Sequence, residues 1–121
     1  MSVSGLTDVQ RSLVEAGWSS RRPPDPYMAI VNHLIRSGAQ IMRGGSGALG
    51  LAYVADGRTD GYCELHMNSW DALAGLLLVK EAGGWANDFL AGDGLRRGNA
   101  VLGCTPALKD LIANAMNLPG R

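Results

Sequence analysis

Three short stretches of this sequence carry residue types that can do chemistry. The first is "RGGSGAL", where Gly44, Gly45 and Gly47 surround Ser46. Glycines let the backbone approach a ligand closely. A helix opening just after them has first-turn N–H groups with no internal partner, at the positive end of its dipole. An anion such as phosphate is the natural ligand of such a turn; tight packing of a helix on a sheet explains the same glycines without one. The second is Asp71 in "SWDALAG", an acid at the mouth of an apolar segment. It either offsets the dipole of the helix it opens, by ~0.3–1 kcal/mol, or presents a carboxylate to a metal from a rigid element. The third is Glu64, seven residues before Asp71 at the expected end of a strand. It is either a solvated strand-end charge or a second acid facing the crevice of Asp71, with the turn at 45–47 as a third wall.

Those groups meet only if strands end and helices begin in one place. "RSLVEAGW" reads as a short strand ending at Gly17, and "SSRRPPDP" as a loop. Residues 27–36 place Met28, Ile30, Val31, Leu34 and Ile35 at helical spacing, with Asp25 as N-cap, Pro26 at the first helical position and Gly38 as the stop. "AQIMR" is a strand, 46–56 a small-residue helix stopped by Gly57, and "TDGYCELHM" a strand. Next comes a helix capped by Ser69 and apolar nearly all round, which predicts burial between layers; Gly83 and Gly84 end it. "WANDF" and "NAVLGCT" are two more strands around the loop "LAGDGLRRG", and residues 106–116 a last helix capped by Thr105. The order βαβαβαββα predicts an α/β fold: a mixed sheet of about five strands with helices packed on it. Residues 1–10 read as a loose leader and 11–121 as one domain.

Composition narrows the function classes. The formal net charge is zero, which argues against electrostatic binding to nucleic acid or to an acidic membrane surface. The pairs Arg21-Arg22 and Arg96-Arg97 read as solvated loop residues. Cys63 and Cys104 belong to no paired-cysteine motif and sit in apolar segments, so they read as small buried hydrophobes in a reducing, cytoplasmic setting. The longest apolar run, residues 73–79, is too short to cross a bilayer. The 17 glycines, about twice the usual share of ~7%, fall singly or in pairs as punctuation between many short elements.

"WDALAGLLLVKEAGG" closely resembles the C-terminal signature of the inositol monophosphatase family, and "GGSGALGLAYVADGRTDGYCE" the segment that precedes it there. The similarity runs in order from about Leu6 to the C-terminus. It implies the C-terminal domain of that fold and the chemistry of a magnesium-dependent phosphatase of phosphorylated sugars or polyols. By position it implies Asp71 as a magnesium ligand near the substrate, Gly45, Ser46 and Gly47 as substrate contacts, and Glu64 as a contact to ring hydroxyls. The family often has alanine where Gly47 stands, and Glu81 matches the motif as a structural residue.

The family's other metal ligands lie in a Gly-Glu-Glu motif and an Asp-Pro-x-Asp-Gly-Thr motif. Neither occurs here; the only Asp-Pro is Asp25-Pro26, followed by Tyr27. Magnesium takes about six oxygen ligands, so Asp71, even with Glu64, makes a poor site. The expectation is a chain without phosphatase activity by itself, no catalytic residue of its own, and a face that meets either an N-terminal-half polypeptide or another copy in a homo-oligomer. The alternative is a non-catalytic domain that binds a partner or a phosphorylated ligand.

Overall fold

The computed structural model describes residues 1–118; the last three residues of the expected domain lie outside those described. Five strands form one sheet: β1 (Leu13–Gly17), β2 (Gln40–Met42), β3 (Gly61–Met67), β4 (Trp85–Ala86) and β5 (Asn99–Cys104). Their spatial order is β2-β1-β3-β5-β4. β1 is parallel to β2 and β3, whereas β5 is antiparallel to β3 and β4, so the sheet is mixed as expected. The helices among the described residues are α1 (Pro24–Arg36), α2 (Gly47–Ala55), α3 (Ser69–Glu81), α4 (Gly94–Arg97) and α5 (Lys109–Met116).

Side-chain alternation along the strands divides the core in two. Val14, Ala16, Cys63, Leu102 and Cys104 meet Ile30 and Leu34 of α1 and Ile112 of α5. Tyr62, Met67 and Val101 meet Leu51 and Val54 of α2 and Leu76 and Val79 of α3. The connections leaving β1 and β2 therefore cross opposite faces of the sheet. That divergence opens a crevice beyond the C-terminal ends of the parallel strands, where ligands of α/β sheets bind.

Both cysteines are free and buried. Burial pushes the thiols of Cys63 and Cys104 up to about 12. A thiol held neutral is a poor nucleophile. Neither is therefore expected to react with a thiol-selective disulfide reagent at neutral pH until denaturant is added. A thiol titrating quickly in the native protein would contradict this packing.

Several elements depart from expectation for local reasons. α1 begins at Pro24, so Asp25 is an acid of its first turn rather than its cap. Proline is tolerated there because the first N–H groups have no helical partner anyway. Asn68 occupies the N-cap position of α3 and Ser69 is already helical. Thr105 precedes a 3₁₀ turn, Pro106–Leu108, and its hydroxyl donates to the Ser4 carbonyl instead of capping α5. The strand expected over "WANDF" stops at Ala86. From there Asn87 stands in for the ladder, donating from Nδ2 to Ala100 O (2.8 Å) and accepting at Oδ1 from Leu102 N–H (2.9 Å).

Residues 1–10, expected to be loose, are tied down. Val3 N–H donates to Ala82 O (3.0 Å), the Ser4 hydroxyl donates to Asp60, and Leu6 and Val9 pack against the core. The expectation that α3 is buried on every side also fails. Ala72, Gly75, Leu76 and Val79 are buried, but Trp70 is 77% exposed and Leu77 59%. Together with Leu78 they leave an apolar outer face on α3.

Candidate functional site

Gly45, Ser46, Gly47, Glu64 and Asp71 all line one open cavity of about 500 Å³. It lies at the C-terminal ends of the three parallel strands: Gly17 ends β1 and Trp18 follows it, residues 43–47 follow β2, and Met67 ends β3 with Asn68 and Asp71 after it. Three chain crossings bring together what is scattered in sequence.

The glycine turn is built for its position. Gly45 has φ +84°, a left-handed conformation that costs glycine nothing. Ser46 is the N-cap of α2, and its Oγ accepts the Leu49 N–H (3.2 Å). Of the first-turn residues of α2, Gly47 and Ala48 line the cavity, and their N–H groups have no partner inside the helix. At Gly47, a Cβ would run into the terminal methyl of Met67, a flexible neighbour. The same Cβ would stand 3.0 Å from the Tyr62 hydroxyl, so glycine keeps the turn close to both side chains.

Sequence reasoning missed the residue that anchors the turn. Glu15 is only 2% exposed, lines the same cavity, and accepts the Gly44 N–H at Oε2 (3.0 Å). A Cβ on Gly44 would fall 2.8 Å from that oxygen, so glycine is what lets the carboxylate come so close. Glu15 pairs with Tyr62 across the β1–β3 register, and both meet Gly50 of α2. The signal was legible: one acid inside the apolar strand "LVEAG".

Glu64 is not at the end of β3, since the strand continues to Met67. The β3–β5 register shifts just after it, between Glu64 and Met67. Such irregularities re-aim side chains beside functional sites. The Tyr62 hydroxyl donates to Glu64 Oε1. Burial drives the pKa of Tyr62 far up, which keeps it a donor. The Glu64 carboxyl is also raised, first by burial and further by the Asp71 charge; the Tyr62 hydrogen bond, His66 and Arg43 pull it back down. A carboxyl raised on folding contributes stability that is complete below its unfolded pKa and lost as pH rises through the folded value. Tyr62→Phe removes the main opposing contact, so Glu64 is expected to titrate at still higher pH. Carboxyl-carbon NMR titration checks this, and an unchanged or lower Glu64 pKa would refute it.

Cations line the same cavity. Arg43 Nη2 donates to Trp18 O (2.9 Å), and its guanidinium lies 5.7 Å from the centre of the Trp18 ring. Arg21 also lines the cavity, so the loop holding Arg21 and Arg22 is part of the site and not merely solvated surface. Trp18 Nε1 is buried with no hydrogen-bond partner. The carboxylates do not fit a metal by themselves: among the described residues, no group of three or more His, Cys, Asp or Glu side chains could hold an ion.

The sequence matches the profile of the inositol monophosphatase family over residues 1–117. It is 46% identical over 114 residues to the Nus factor SuhB of Escherichia coli, covering 92% of this chain and 43% of that protein. To the inositol-1-monophosphatase of Rhizobium meliloti it is 43% identical over 90 residues, covering 71% of this chain and 34% of that protein. The crystal structure of the extragenic suppressor protein suhB from Bartonella henselae superposes with a TM-score of 0.84 at 29% identity, covering 98% of this chain and 46% of that one. The chain thus spans less than half the length of the curated relatives it matches.

Proposed function

Because this chain belongs to the inositol monophosphatase family, we propose that it supplies the phosphate-binding turn and one carboxylate of a phosphomonoesterase site completed by residues outside these 121. The observation that carries this is the convergence of the turn at 45–47, Glu64 and Asp71 on one cavity. In this reading the first-turn N–H groups of α2 hold phosphate oxygens. Glu64, aligned by Tyr62, accepts from a hydroxyl of a polyol or sugar. Glu15 positions the turn by holding Gly44. Asp71 is the carboxylate this chain gives to the family's magnesium, which when bound supplies positive charge at the phosphate. The carboxylates of this chain do not fit that ion alone, so no step of hydrolysis is assigned to them.

The bare face of α3 supports the same reading, because Trp70 begins it next to Asp71. We assign that face to the half that the relatives have beyond the matched region. Left without it, two copies of this chain are expected to cover it against each other. The test is one titration. The chain alone should scatter light as a dimer or larger at micromolar concentration and release no phosphate from an inositol monophosphate with magnesium. Adding a relative's N-terminal half should convert it to a mixed assembly that does. Phosphate release by the chain alone, or no gain on mixing, would sink the proposal.

A second reading, binding without turnover, is favoured by the incomplete acid set and by relatives that bear the name Nus factor. It predicts phosphate binding by calorimetry and no release even after mixing.

A further inference from the structure

The charges around the cavity do not make it a simple anion trap. Glu15, Glu64 and Asp71 line it together with Arg21 and Arg43, three carboxylates against two guanidiniums. These charges do not weigh equally. Asp71 is exposed in the first turn of α3, where salt and water screen it. Glu15 is 2% exposed, and a buried charge is screened far less. Its carboxylate is wedged against the start of α2: Oε2 accepts the Gly44 N–H (3.0 Å), and a Cβ on Gly50 would fall 3.0 Å from Oε1.

Holding Gly44 does not by itself call for a charge. A buried carboxylate without a cation is costly, and among the described residues the one salt bridge joins Arg58 to Asp56, so Glu15 has none. Glutamine has the same length, and its side-chain carbonyl would accept the same N–H with no charge to bury. What the charge adds is electrostatic. The N-terminal end of α2 is positive, and a carboxylate packed against it offsets that field. Its reach shows at Tyr62, whose hydroxyl is kept neutral first by burial, then by Glu64 and by Glu15.

We infer that Glu15 tunes the turn it anchors: its side chain fixes the position of Gly44, while its buried charge holds down the affinity of the turn at 45–47 for a free anion. The chain alone then holds inorganic phosphate weakly, and firm retention needs positive charge beyond that of Arg21 and Arg43. This rests on the phosphate-site reading above and adds what regulates that site. It makes Glu15 a positioning residue whose charge and whose hydrogen bond act in opposite directions on binding.

The test is Glu15→Gln in the full chain, followed by calorimetry with inorganic phosphate and by urea unfolding. The variant is expected to bind phosphate about tenfold tighter than the wild type, the scale of one poorly screened charge removed from near the ligand. That gain should shrink as sodium chloride rises from about 20 mM to about 0.5 M. Its unfolding midpoint should be no lower than that of the wild type. Glu81→Gln, the same change at the exposed far end of α3, should leave phosphate affinity unaltered. Equal or weaker binding by Glu15→Gln, or an equal gain in Glu81→Gln, overturns the inference and leaves the phosphate turn standing. A Glu15→Gln protein that unfolds more easily also overturns it, because the charge would then be what anchors Gly44. If neither the wild type nor Glu15→Gln binds phosphate while both give native NMR spectra, the phosphate-site reading itself fails, and this inference with it.

Discussion

Leu51→Ala is expected to lower the unfolding free energy by about 2–5 kcal/mol, the usual cost of truncating a large core side chain. Leu51 is fully buried and is the key by which α2 locks into two other elements. A Cβ on Gly75 of α3 would sit 2.6 Å from Leu51 Cβ, and one on Gly103 of β5 would sit 2.9 Å from Leu51 Cδ2. Both glycines are therefore holes cut to the shape of one side chain. Domains of this size have only about 5–15 kcal/mol of net stability, so urea unfolding should show a large fall in midpoint. A loss under 1 kcal/mol would mean the three elements do not depend on this contact. The same geometry fixes the sign of a coupling. Gly103→Ala alone overpacks, with Val79 Cγ2 at 3.3 Å as the next obstacle. In the Leu51→Ala background that methyl enters the space Leu51 vacated. The double variant should be more stable than the two single losses added together, by about 1 kcal/mol.

What the sequence made legible is what local chemistry controls. The glycine turn at 44–47 and the acid at Asp71 rest on short local stretches whose residue types dictate backbone shape, and each is where it was expected, although Ser46, read as the first residue of its helix, caps it instead. Glu64 was found for its type but misplaced along its strand, because the register shift after it depends on β5, 37 residues on at Val101. Glu15 was overlooked because its role exists only across the β1–β3 pairing and against Gly44. The loop arginines were discounted because their cavity is closed by β3 and the turn after β2, which no window of sequence contains. α3 misled for a different reason. Apolar residues around a whole helix predict burial on all sides, and here one side has nothing in this chain to meet. The hydrophobic pattern marks what a helix can bury, and α3 buries one side against α2 and the sheet.

Asp71→Asn is expected to separate function from fold. Its carboxylate lies in the first turn of α3 and is exposed, so its loss removes only a favourable dipole interaction of ~0.3–1 kcal/mol. The unfolding midpoint should hardly move. In the assembly completed with a relative's N-terminal half, phosphate release should fall roughly 100-fold or more, the scale on which removing one electrostatic partner of a developing charge acts. A loss under tenfold would take Asp71 out of the site. The chain alone offers a second readout that needs no partner. The Asp71 charge raises the Glu64 carboxyl, so Asp71→Asn should lower the Glu64 pKa, opposite in sign to Tyr62→Phe. The two variants therefore move one NMR titration in opposite directions. That pattern arises only if Asp71 and the Tyr62 hydroxyl both act on Glu64 within a single cavity, which is the arrangement a shared phosphoester would need.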